Sequence, residues 1–173
     1  MKRSLLLAIA AAAMAALPSA AAAAVPAPDV PGDIAVTGAE KPYLAAHALG
    51  VQIYGCRSGA WALVAPRATL YGDNGKVVAT HFGGPTWQAR DGSSVVGRRV
   101  NGVTVDAGAI QWLLLSRASS SVGSDGDRLA GTTHIQRINT VGGLAPAAAE
   151  CVTEGAQAEV PYEADYVFWK AIA

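Results

Sequence analysis

Cysteine, charge and helical periodicity are all scarce in this chain, and each shortage removes a class of function. Only two cysteines occur in 173 residues, with no C-x-x-C pair, so a redox-active dithiol is the least favoured reading of them. Charged residues make up 15% of the chain and balance at 13 basic against 13 acidic, far from the basic footprint that nucleic acid demands. No G-x-G-x-x-G opens a βαβ unit and no G-x-x-x-x-G-K-[ST] occurs, which removes the usual dinucleotide and phosphate-loop enzymes. G-x-S-x-G and H-E-x-x-H are missing as well. Asp125-Gly126-Asp127 is too short in ligands for an EF-hand and reads as a surface turn. No long amphipathic helix is written anywhere, and nothing implies a cofactor, a metal or a fixed oligomeric state.

What is present begins with the first two dozen residues. Lys2 and Arg3 precede an uncharged apolar run over 5–17 and a small-residue stretch over 19–24. That pattern reads as a signal peptide over 1–24, too short to span a bilayer as a helix. Removing Lys2 and Arg3 leaves 11 basic against 13 acidic residues, a mildly acidic exported protein. It belongs in the periplasm or outside the cell, with no transmembrane segment. Residues 25–48, Pro- and Ala-rich at their start, read as a leader into a single domain over 49–173. In an oxidising compartment Cys56 and Cys151 most simply form one disulfide; two buried free thiols are the alternative.

From residue 49 onward the chain is a series of short β-like runs set off by Gly, Asp and Asn. Val51, Ile53 and Gly55 alternate with Gln52, Tyr54 and Cys56, the period of a half-buried strand. Strands are expected over 60–65 and 68–71 with a break at Pro66, and over 76–82 after the Asp73-Asn74-Gly75 turn. Further strands over 86–90 and 94–100 flank Asp91-Gly92, and Asn101-Gly102 reads as a turn into 103–106. Residues 110–115, 132–138 and 160–169 supply the rest, while 119–127 (SSSVGSDGD) reads as a mobile loop. Short helices fit only at 44–49 or 145–150. Turn signals at this spacing predict an all-β fold: a single-domain antiparallel β-sandwich or barrel with one disulfide.

The blocks GVQIYGC (50–56), HFGGPTWQARDGSSVVG (81–97), WLLL (112–115) and IQRINTVGGLAP (135–146) occur in that order. With Cys151 and VPY…ADY (160–166), they resemble a family of exported or secreted proteins of bacteria and filamentous fungi, known only as a domain of unknown function. The resemblance spans about 50–169 and implies a shared fold. Both cysteines fall in matching blocks, which is compatible with their pairing. No activity comes with it.

The candidate site residues sit in two of those blocks. His81 and His134 lie in strands, and a neutral imidazole there can act as a base or ligand, although a hydrogen-bonded structural role is preferred for each. Trp87 offers a flat face to a sugar or other ring; a core position is an equal reading. Asp91 closes its turn through an Asx hydrogen bond. Period two places His134, Gln136 and Ile138 on one strand face and Ile135 and Arg137 on the other. Arg137 either grips a ligand carboxylate or, the preferred reading, clamps Asp91, Asp106 or Asp165. Asn139 and Thr140 are expected to tie down backbone in an irregular turn, and Tyr166 is assigned to packing.

Three functions compete on this sequence. The leading one is an exported β module that binds a small molecule or glycan with His81, Trp87, Asp91, His134, Gln136, Arg137 and Asn139 as candidate residues. The second is a structural or interaction domain of the envelope or secreted matrix. The third is a hydrolase or lyase using a His/Asp pair, which requires the imidazole and carboxylate to meet.

Overall fold

The structure, a computed structural model, describes residues 24–172. The expected signal peptide therefore lies outside the described residues apart from Ala24. Eight strands follow in chain order: β1 (Glu40–Arg57), β2 (Ala60–Tyr71), β3 (Val77–Phe82), β4 (Thr86–Ala89), β5 (Ser94–Val103), β6 (Trp112–Ser121), β7 (His134–Gly142) and β8 (Gln157–Ala171). Each pairs antiparallel with the next, and β8 returns to β1 along Glu40↔Ala171 through Gly55↔Gln157, closing an up-and-down barrel. Closure pairs the first strand with the last, leaving an unpaired edge along the first half of β2, and eight strands enclose a space that side chains fill or that holds one small ligand.

Alternation along the strands makes the inside. Leu44, Ala46 and Ala48 of β1 lie side by side with Phe168, Tyr166 and Ala164 of β8 on the inner wall of a core completed by Tyr162, Leu70, Val95 and Ile135. The alanines leave room for the aromatics, which is why the run around 44–49 is a strand rather than the helix its composition suggests. β1 starts at Glu40, inside the stretch read as a leader.

Three other local expectations are corrected. Pro66 does not break its strand: β2 runs through it, paired there to Gln52 alone, because β3 reaches only residues 68–71. A strand with one neighbour tolerates a proline. Asn101-Gly102 is not a turn; β5 absorbs it at a register shift between Arg99 and Asn101 and continues to Val103. Residues 119–121 complete β6, and the loop beyond is tied down rather than free. The main-chain oxygen of Asp91 accepts from the Asp125 N–H, and its carboxylate accepts from the Arg128 N–H at 2.9 Å.

A second, smaller cluster lies on the outer face. Ile138, Val167 and Trp169 are covered by Val30 and Val36 of the N-terminal segment, with Trp112 alongside. Cys56 and Cys151 form the expected disulfide, joining the end of β1 to the 143–156 connection at one end of the barrel. That segment is also held by Tyr54, which donates to the Gly143 carbonyl at 2.6 Å, and by Trp61, which donates to the Ala147 carbonyl at 3.2 Å.

Candidate functional site

β3 and β4 are the shortest strands, so the barrel wall is lowest at their turn, 83–85. Beside that low wall lies a cavity of about 590 Å³, within the range of small-molecule sites. Its polar floor comprises Gln52, His81, Trp87, Arg137 and Tyr166. Leu63 and Val64 of β2, 55% and 47% exposed, form an apolar lip, with Arg98 and Arg99 of β5 opposite.

Register builds the floor. His81 and Trp87 are direct partners across β3 and β4, and their rings stack with centroids 4.1 Å apart and planes 7° apart. Tyr166 meets both rings edge-on, at 5.3 and 5.4 Å. Arg137 and Tyr166 are likewise direct partners across β7 and β8. Gly97 packs closely beside them: a Cβ there would lie 3.0 Å from the Trp87 ring and 3.0 Å from Leu115, so those side chains would have to give way.

The floor's electrostatics follow from burial. His81 Nδ1 lies 2.8 Å from the Thr86 carbonyl, which only accepts, so Nδ1 carries the proton and Nε2 keeps a bare lone pair. Desolvation pushes its pKa down to about 3, the Arg137 cation helps, and the Thr86 bond opposes. The ring is therefore neutral at any physiological pH. Burial also raises the Tyr166 hydroxyl, with Arg137 pulling the other way. Trp87 Nε1 and Gln52 Nε2 are buried donors with no hydrogen-bond partner. Such orphans are costly unless something else satisfies them.

Of the seven candidate residues, the structure brings His81, Trp87 and Arg137 together at this cavity and places four elsewhere. Gln136 is fully buried on the outer face, donating to the Ile34 carbonyl at 2.7 Å and accepting from the Trp169 indole at 2.8 Å. His134 pairs with Glu40, its Nδ1 2.9 Å from the carboxylate. Asp91 takes the expected Asx turn, accepting from the Ser93 N–H and hydroxyl at 2.9 and 2.6 Å. These bonds hold its carboxyl below the usual range. Asn139, at positive φ within β7, donates to Asp165 at 2.8 Å. Thr140 ties down the Ile110 carbonyl.

The preferred aspartate clamp for Arg137 does not form. Its Nε and Nη2 donate instead to the Gln111 carbonyl, at 3.1 and 2.8 Å. Neither does a pairing of His81 or His134 with Asp91: His81 faces inward, His134 meets Glu40 outside, and the Asp91 carboxylate is engaged by Ser93 and Arg128, while the His–Asp contact that does form joins His47 to Asp165 at 2.8 Å at exposed positions. No group of three or more His, Cys, Asp and Glu side chains suited to a metal occurs among the described residues. Four polar or aromatic cavity residues were not among the candidates from the sequence: Gln52, Arg98, Arg99 and Tyr166. Alternation in 160–169, followed inward from Tyr162, is the signal that points Tyr166 into the barrel.

Fold and site together define a class: a closed, eight-stranded antiparallel barrel with an interior cavity, apolar at its lip and donor-rich at its floor. The chain belongs to the DUF3455 family, described as a protein of unknown function, which it matches over residues 37–170. The match begins just before β1 and ends within β8, so it covers the barrel and confirms the resemblance in the sequence. No curated protein and no solved structure matches the chain.

Proposed function

We propose that this is an exported protein whose barrel binds a small molecule in the cavity above His81, Trp87 and Tyr166. The observation that carries the reading is one open 590 Å³ cavity whose floor gathers Gln52, His81, Trp87, Arg137 and Tyr166 beneath an apolar lip. A module serving only as structure has no use for such a space; filling it with side chains would be more stable. Half of the lining residues are Leu, Val, Ala or Pro, which favours an apolar ligand body over a glycan. Export is supported by the basic-then-apolar start of the chain and by the disulfide. Among the described residues no helix is long and apolar enough to cross a membrane.

The test is fluorescence titration with the neutral probe N-phenyl-1-naphthylamine. Wild-type protein should bind it saturably at one site. Ala65→Trp, which plugs the cavity from β2, should abolish binding while keeping a cooperative melt. Equal binding by the plugged variant would place the probe elsewhere and remove the support.

A further inference from the structure

We infer that the cavity accepts an amphipathic anion: a carboxylate or like-charged head group carried on an apolar body. This rests on the binding reading above and specifies its ligand chemistry.

Three arginines, Arg98, Arg99 and Arg137, line the cavity, and none of its lining residues is acidic. The ion pairs among the described residues, centred on His47, Arg67 and His134, use none of the three. Instead, one neutral residue positions two of them. The Gln111 carbonyl accepts twice from Arg137, and its side-chain oxygen accepts from Arg99 Nη2 at 2.8 Å. The Gln111 amide is itself fixed by donating to Thr104 at 3.1 Å. Neutral acceptors orient a guanidinium without cancelling its charge. Each guanidinium has five N–H donors, so both keep donors for a ligand. A half-buried cation without a counter-ion is stabilised by an anion that arrives with its own apolar cover.

A carboxylate brings acceptors only, which suits the guanidinium N–H groups that Arg99 and Arg137 leave free beyond their bonds to Gln111. Leu63, Val64, Pro66, Val96, Leu113 and Leu115 then cover the apolar body.

The experiment displaces N-phenyl-1-naphthylamine with decanoate and, separately, with decanol, which share a chain and differ in charge. The ratio of their half-displacing concentrations is the readout. Decanoate should act at roughly ten- to hundredfold lower concentration, the worth of a charge-assisted hydrogen bond. Arg137→Gln should bring that ratio close to one. Arg99→Gln, at an exposed position that leaves the core untouched, should shrink it, which keeps the test open if the Arg137 variant folds poorly. Decanol matching or beating decanoate in wild-type protein would overturn the anion inference while leaving the cavity reading in place. A probe that never binds would overturn both.

Discussion

His81 and Trp87 form a stacked pair across β3 and β4, the two shortest strands among the described residues, with ring centroids 4.1 Å apart. Trp87 is 1% exposed and also packs edge-on against Phe168. It is thus core and cavity floor at once, and the two readings of it in the sequence are not exclusive.

Trp87→Ala should therefore cost about 3–5 kcal/mol of stability, as large-to-small aromatic truncations in cores do. Guanidinium denaturation measures it. A variant as stable as wild type would show that the ring is not part of the packed core.

His81 imposes a pH dependence on folding. Its pKa is about 3 in the folded protein against 6.5 unfolded. Between those values the unfolded imidazole binds a proton that the folded one refuses. Stability is complete above about 6.5 and falls on acidification by up to about 1.4 kcal/mol per pH unit. His81→Gln should flatten this part of the profile between pH 7 and pH 5, while slopes from other groups remain. An unchanged difference between the two proteins across that range would contradict the buried neutral ring.

Reducing the Cys56–Cys151 disulfide should cost about 2–4 kcal/mol, since it closes a long loop. Its local signature is sharper. Amide exchange in the 143–156 segment should quicken more than in β3 or β4, because the bridge holds that segment to β1. Uniform acceleration across the barrel would argue against such a local role.

The loop over 122–133 offers a steric test. A Cβ on Gly123 would lie 1.9 Å from the Asp91 carbonyl oxygen and 2.3 Å from the Ser93 nitrogen, both rigid backbone. Gly123→Ala should cost about 1–3 kcal/mol as an overpacking change. Gly131→Ala, where nothing lies within 4 Å, should be near neutral. Equal stability of the two variants would mean that the loop does not dock on Asp91 as described.

Period-two alternation in the sequence was enough to find part of each strand and to put Ile135 and Arg137 opposite Gln136, but not to set the bounds of β1, β2, β5 or β6. It also anticipated the Asp91 turn, which depends only on residues two apart. It could not show what covers each face. Gln136 is enclosed by the N-terminal segment through the Ile34 carbonyl, a contact across more than a hundred residues that no local pattern encodes. Barrel closure is likewise a pairing of the first strand with the last. Residues 40–48 looked like leader because Pro42 and the alanines carry little strand signal alone. Their small side chains make sense only opposite Tyr162, Tyr166 and Phe168. Arg99 was passed over because an adjacent arginine pair looks like solvated surface until Gln111 is seen to orient one of the two toward Arg137's neighbourhood.

Binding of a small molecule inside the barrel can be read directly from the four tryptophans. Trp87 lines the cavity, Trp61 donates to Ala147 at the barrel end, and Trp112 and Trp169 belong to the outer cluster. In a nitrogen-15 NMR titration with N-phenyl-1-naphthylamine, the Trp87 indole signal should shift saturably while those of Trp112 and Trp169 stay in place. A titration that moves the outer tryptophans and leaves Trp87 still would contradict the account.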